Sequence, residues 1–202
     1  MTESGCVWVG ADPGGVGNFG IAILRDDGQY HAECVNCADE AIEFVLSYLA
    51  RTPSGVGVDA PLWWSSGRSG DRRADQWLRK RYGLTGGQVQ ATNSLRGAAL
   101  VQGAMFVLRI REVYPAVPVT ESHPKALLKA LTEGDWDELA GQFGLKLDIG
   151  NHHERDALIA AVSAREGFQK RWPHDLSTER LSSEQDPRSY WLAPVHYFWP
   201  EK

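Results

Sequence analysis

Cysteine is scarce in this chain, with three residues among 202, at positions 6, 34 and 37. A small odd number excludes a disulfide framework and suits a reducing cytoplasm, the expected location. Long uninterrupted hydrophobic runs are missing, so no membrane span is expected. The opening Met1-Thr2-Glu3-Ser4-Gly5 has neither a basic start nor an apolar stretch, and does not read as a signal peptide. Positive charge is also short: 21 Lys and Arg stand against 26 Asp and Glu, a formal net charge of -5. That excludes a strongly basic nucleic-acid binder and leaves room only for a local basic patch. Internal repeats and low-complexity tracts are absent.

What is present reads as one α/β domain over residues 1–170 with an extension over 171–202. Hydrophobic residues make up 43% and charged residues 23%, ordinary values for a chain that buries its own core. Residues 7–11 predict a buried strand, 12–18 a glycine-rich turn and 19–25 a second strand. Asp27-Gly28 predicts a hairpin into a third, antiparallel strand over 30–35. Residues 38–50 predict an amphipathic helix with Asp39 as N-cap. It crosses over to a short parallel strand at 56–59. A polar loop over 62–75, a short helix over 75–82 and a long buried helix over 94–112 follow. A fifth strand is expected at 118–121, then helices over 124–131, 136–143 and 152–167. From Arg171 on, prolines interrupt an aromatic tail that is expected to wrap the surface.

Three carboxylates carry the chemistry. Asp12 closes the first apolar run, Asp59 closes Val56-Gly57-Val58, and Asp156 opens the apolar stretch through Val162. Two carboxylates at strand ends plus one on a late helix can hold hard divalent cations, Mg²⁺ or Mn²⁺. Plainer readings exist: Asp12 as a turn residue before Pro13-Gly14, and Asp156 as a partner of the helix dipole. Glu121 ends the fifth strand as Asp59 ends the fourth, as ligand, supporting group, general base or solvated strand-end acid. His153 shares a helix face with Asp156 and joins the metal set as ligand or as support. The run Gly14-Gly15-Val16-Gly17 either lets backbone N–H groups approach a phosphate or only connects a hairpin. Residues 68–81 hold Arg68, Arg72, Arg73, Arg79, Lys80 and Arg81 against Asp71 and Asp75, with Trp63 and Trp64 just before. On one reading Arg72 and Arg73 neutralise phosphates while the tryptophans take base faces. On the other the segment is a solvated basic helix beside two core tryptophans. Cys34 and Cys37 have knuckle spacing without a second ligand pair, and read as ordinary thiols.

Four stretches carry a resemblance: Gly10-Ala11-Asp12, Val58-Asp59-Ala60-Pro61-Leu62, Glu121-Ser122-His123-Pro124, and His153-Glu154-Arg155-Asp156-Ala157-Leu158. Together they resemble the DUF429 family of predicted RNase H-like nucleases. The resemblance implies a five-stranded mixed sheet of order 3-2-1-4-5 with strand 2 antiparallel, flanked by helices. That order sets Asp12 beside Asp59, and the closing helix brings Asp156 to the pair. The implied activity is a divalent-metal-dependent nuclease using Asp12, Asp59, Asp156 and Glu121, with DNA or RNA as partner. The 153–159 stretch is also similar to the end of RuvC-type resolvases, where two acids stand three apart; here the first is His153. A neutral imidazole removes one negative charge and favours Mn²⁺ over Mg²⁺. The glycine run resembles the first phosphate loop of actin-like and sugar-kinase ATPases, which implies the alternative: a non-catalytic nucleotide- or phosphate-binding module. A third reading is a protein-interaction domain.

Overall fold

The computed structural model describes residues 5–95, 97–146 and 148–200, and readings that fall on other positions lie outside them. Three strands open the chain: β1 (Val7–Asp12), β2 (Phe19–Arg25) and β3 (Tyr30–Val35). α1 (Ala38–Tyr48) leads to β4 (Gly55–Val58), and α2 (Arg73–Tyr82) and α3 (Gly97–Val113) lead to β5 (Val119–Glu121). α4 (Pro124–Thr132), α5 (Trp136–Phe143) and α6 (His152–Phe168) follow. Three two-residue strands end the chain: β6 (His174–Asp175), β7 (Val195–His196) and β8 (Phe198–Trp199).

The main sheet has the order β3-β2-β1-β4-β5-β7, so the expected five-strand order is present with a sixth strand added. β2 runs antiparallel to β1 and β3, while β1, β4, β5 and β7 are mutually parallel. Central strands covered on both faces need apolar residues at every position, which is why β1 and β4 read as continuous hydrophobic runs. β3 lies at the edge and alternates half-buried with exposed residues.

α6 lies across β1, β2 and β4. Glycines allow the close approach: a Cβ on Gly10 would come within 1.9 Å of the Ala157 carbonyl oxygen, and one on Gly57 within 1.9 Å of that of Ala160. The helix answers with small buried residues, Ala157, Ala160, Ala161 and Ala164. Asn151 caps it by accepting from the His153 and Glu154 N–H groups.

Several elements depart from expectation. Asp39 is not the N-cap of α1; Cys37 holds that position, and Asp39 accepts instead from Arg109 of α3 at 2.8 Å. α3 is not buried along its length: Gly103, Phe106, Val107 and Ile110 face the core while Val101, Met105 and Leu108 are exposed. The tail is more than a surface wrap. β7 extends the main sheet beside β5, and β6 pairs with β8 in a second small sheet. Among the described residues no helix is long and apolar enough to cross a membrane.

Candidate functional site

The parallel register of β1 and β4 builds the site. Gly10 pairs with Gly57 and Ala11 with Val58, and the Asp59 N–H donates to the Ala11 carbonyl at 2.8 Å. Extending that register by one sets Asp12 opposite Asp59. Side chains alternate faces along a strand, so Asp12 shares the face of Gly10 and Asp59 the face of Gly57. Both glycines face α6, so both carboxylates point toward the helix that carries His153 and Asp156. His153 Nδ1 stands 2.7 Å from Asp12 Oδ2. Asp156 is buried with 1% side-chain exposure, and Asp12 and Asp59 are recessed at 14% and 18%.

Negative charge is crowded here. Burial raises Asp12 to about 6; the His153 hydrogen bond opposes the rise, and the Asp156 charge adds to it. Burial also raises Asp59 well above the usual carboxylate range, helped by the charges of Asp12 and Asp156. Asp156 Oδ1 accepts from Arg155, while its Oδ2 is buried with no hydrogen-bond partner, 4.0 Å from Lys125 Nζ.

Glu121 lines the same cavity and its charge adds to the rise of Asp59, but its strand register is out of phase with this cluster. It pairs in register with Val58, the residue before Asp59, and so faces the other side of the sheet. Ser122, the next residue, faces α6 and bonds the Ser163 hydroxyl at 2.8 Å. Glu121 takes a two-pronged bond from Arg72, at 2.6 and 2.7 Å, and one from the Leu62 N–H. Burial raises Glu121, opposed by Arg72.

Arg72 is therefore not the surface cation that the sequence suggests. It is 1% exposed, binds Asp75 and Glu121, and lies 4.2 Å over the Trp63 ring. Burial opposes its charge, and Asp75 and Glu121 hold it protonated. Trp63 is a core residue whose indole N–H donates to Glu184. Trp64 is 38% exposed and lies with Met105, Leu108 and Trp191 around an apolar groove. Arg73 is exposed and 3.5 Å from Glu179; Arg79 pairs with Asp71. The glycine loop uses its own donors: the Gly17 N–H bonds Asn36 and the Asn18 N–H bonds the Gly15 carbonyl. Gly14 and Gly15 do not line the cavity at the carboxylates. Cys34 and Cys37 are free thiols.

That cavity, of about 290 Å³, brings in residues that sequence reasoning did not select: Gln88, Gln90, His123 and Lys125. Burial lowers His123 to about 4, its Nδ1 has no hydrogen-bond partner, and it stands 3.9 Å from Asp59 Oδ1. His123 lies in one of the stretches that carry the resemblance, and position was a second signal, since His123 and Lys125 follow the fifth strand at the same edge as Asp59.

Fold and site together define a mixed α/β protein of RNase H-like topology with carboxylates at the ends of its central parallel strands. Residues 10–186 match the family described as "Protein of unknown function (DUF429)", and the chain belongs to that family. No curated protein and no solved structure matches it.

Proposed function

We propose that the Asp12–Asp59–Asp156 cluster holds Mg²⁺ or Mn²⁺ and hydrolyses a phosphodiester of nucleic acid. The observation that carries this reading is the register that sets two recessed carboxylates side by side under a third. Among the described residues no three His, Cys, Asp or Glu side chains enclose an ion as they stand. A full cage is not what Mg²⁺ needs, since one or two carboxylates with water and substrate phosphate commonly suffice. The donor set fits a hard cation. It is all oxygen, its charges oppose one another, and one buried Asp156 oxygen lacks a partner.

When bound, the metal would activate water and stabilise the leaving oxygen. The chain's own residues do the rest. His153 fixes Asp12 through Oδ2 and leaves the other oxygen to ligate. Lys125 supplies the cation at the cavity wall for a phosphate oxygen. The paired Arg72 and Glu121 line the same cavity.

Calorimetric titration with Mn²⁺ tests the reading. The parent protein should bind, Asp59→Asn should lose the binding while keeping the fold, and cleavage of an oligonucleotide should disappear with it. Because His153 stands where RuvC-type sites have an acid, the site holds one negative charge fewer and affinity for a second cation should be weak. Unchanged Mn²⁺ binding in Asp59→Asn would remove the metal from this site.

A further inference from the structure

We propose that the cavity beside the carboxylates seats the base of one unpaired nucleotide, so that the substrate is a nucleoside phosphate, free or at a strand end. This rests on the phosphodiester reading above and narrows its substrate. Three observations lead to it.

The first is access. Asp12 and Asp59 line a recess and not a flat groove, and Asp156 lies deeper still. A phosphate reaches them only if its nucleotide enters. Internal nucleotides of a duplex are stacked and paired, and entry would require unstacking them.

The second is the character of the walls. Pro13, Pro61, Leu95 and Ala99 form an apolar side suited to the face of a base. Gln88, Gln90 and Ser122 add uncharged polar groups to the lining, and the Arg72–Glu121 pair, Asp75 and Lys125 add charged ones. Gln88 is held through its side-chain oxygen by the Thr85 N–H and hydroxyl, which leaves its NH₂ as a donor. The backbone of Gln88 also hydrogen-bonds the His123 ring, whose Nδ1 lacks a partner. That free Gln88 NH₂ is a donor for an acceptor on the edge of a base.

The third is the rest of the surface. Polymer binding draws on cations that can neutralise successive phosphates. In the basic segment Arg72 is buried with Asp75 and Glu121 and Arg79 pairs with Asp71, while Arg73, Lys80 and Arg81 line a separate groove with Trp77 and not the cavity at the carboxylates. The net charge is -5.

The test is calorimetry on the whole chain with five probes: nucleoside 5′-monophosphates, ribose 5-phosphate, a short single strand, a blunt duplex of the same sequence, and Mn²⁺ alone. At least one mononucleotide should bind roughly tenfold or more tighter than ribose 5-phosphate, the discrimination of one good base-edge contact. The single strand should bind more tightly than the duplex. Gln88→Ala, at an exposed position, should erase the preference for the base while leaving Mn²⁺ binding intact. A single strand tighter than the mononucleotide assigns a strand end; the reverse assigns a free nucleotide. Equal binding of nucleotide and ribose 5-phosphate, or of duplex and single strand, would overturn the proposal. Mn²⁺ binding with no nucleotide binding would overturn it and leave the metal reading standing. Nucleotide binding without Mn²⁺ binding would do the opposite.

Discussion

Asp12 is ionised at neutral pH against the preference of its surroundings. Burial raises it from 3.8 to about 6, the His153 hydrogen bond limits the rise, and the Asp156 charge adds to it. A carboxylate raised in the folded state binds its proton more tightly there than in the unfolded chain. Its stabilising contribution is therefore complete below about 4 and is lost as pH rises through about 6. Asp12→Asn keeps the shape, offers an amide to His153 and removes the charge. In metal-free protein it should stabilise the fold at pH 7–8 by on the order of 1–3 kcal/mol, seen as a raised melting temperature, and leave the melting temperature nearly unchanged at pH 4. A melting series across pH checks this, and a variant less stable at pH 8 would show that the site is not strained by its charge. The three aspartates were legible in the sequence because each closes or opens an apolar run. Arg72 and Glu121 stood out equally, yet their partners were not legible. A shift of one position along a strand reverses the face, so Glu121 turns away from Asp59 and toward Arg72. His123 stood in one of the stretches that carry the family resemblance, but neither its role nor that of Lys125 was legible, because both roles come from the sheet edge, which only the assembled fold defines.

At the scale of elements, the site depends on how closely α6 lies on the sheet. The contact at Gly57 is with backbone, since an added methyl would meet the Ala160 carbonyl oxygen at 1.9 Å. Backbone cannot turn aside as a flexible side chain can, so the whole helix must lift. Gly57→Ala should cost about 1–3 kcal/mol, as overpacking does, and should weaken Mn²⁺ binding because Asp156 moves with α6. Thermal melting paired with Mn²⁺ calorimetry measures both; full stability in the variant would mean that α6 does not pack on Gly57. The strands were readable because the central ones must be apolar on both faces. α3 misled for a related reason. Its apolar residues run round the helix, and periodicity alone does not reveal that Val101, Met105 and Leu108 stay exposed. The cap of α1 misled because Asp39 has a better partner in Arg109, seventy positions away in sequence.

For the whole molecule, the open question is what the last thirty residues contribute. The family match ends at residue 186, before β7 and β8. Yet Tyr197 and Trp199 are fully buried, and β7 completes the sheet beside β5. The tail also reaches the Arg72 side of the site: Tyr197 packs edge-on to Trp63, the ring beneath Arg72, and the Trp199 indole donates to the Tyr82 hydroxyl at the end of α2. None of this was visible as a period in the sequence, because two-residue strands between prolines leave no pattern to count. The energetics argue that the segment belongs to the core. Truncating one buried aromatic side chain costs about 3–5 kcal/mol, and total stability is only about 5–15 kcal/mol. Removing residues 187–202 deletes two such side chains and uncovers β5. The shortened chain should therefore lose its cooperative melting transition and bind a hydrophobic dye, while Trp199→Ala alone should fold with a clearly lowered melting temperature. Circular dichroism melts of the three proteins decide the matter: a truncated chain melting within a few degrees of the parent would make the tail a dispensable cover.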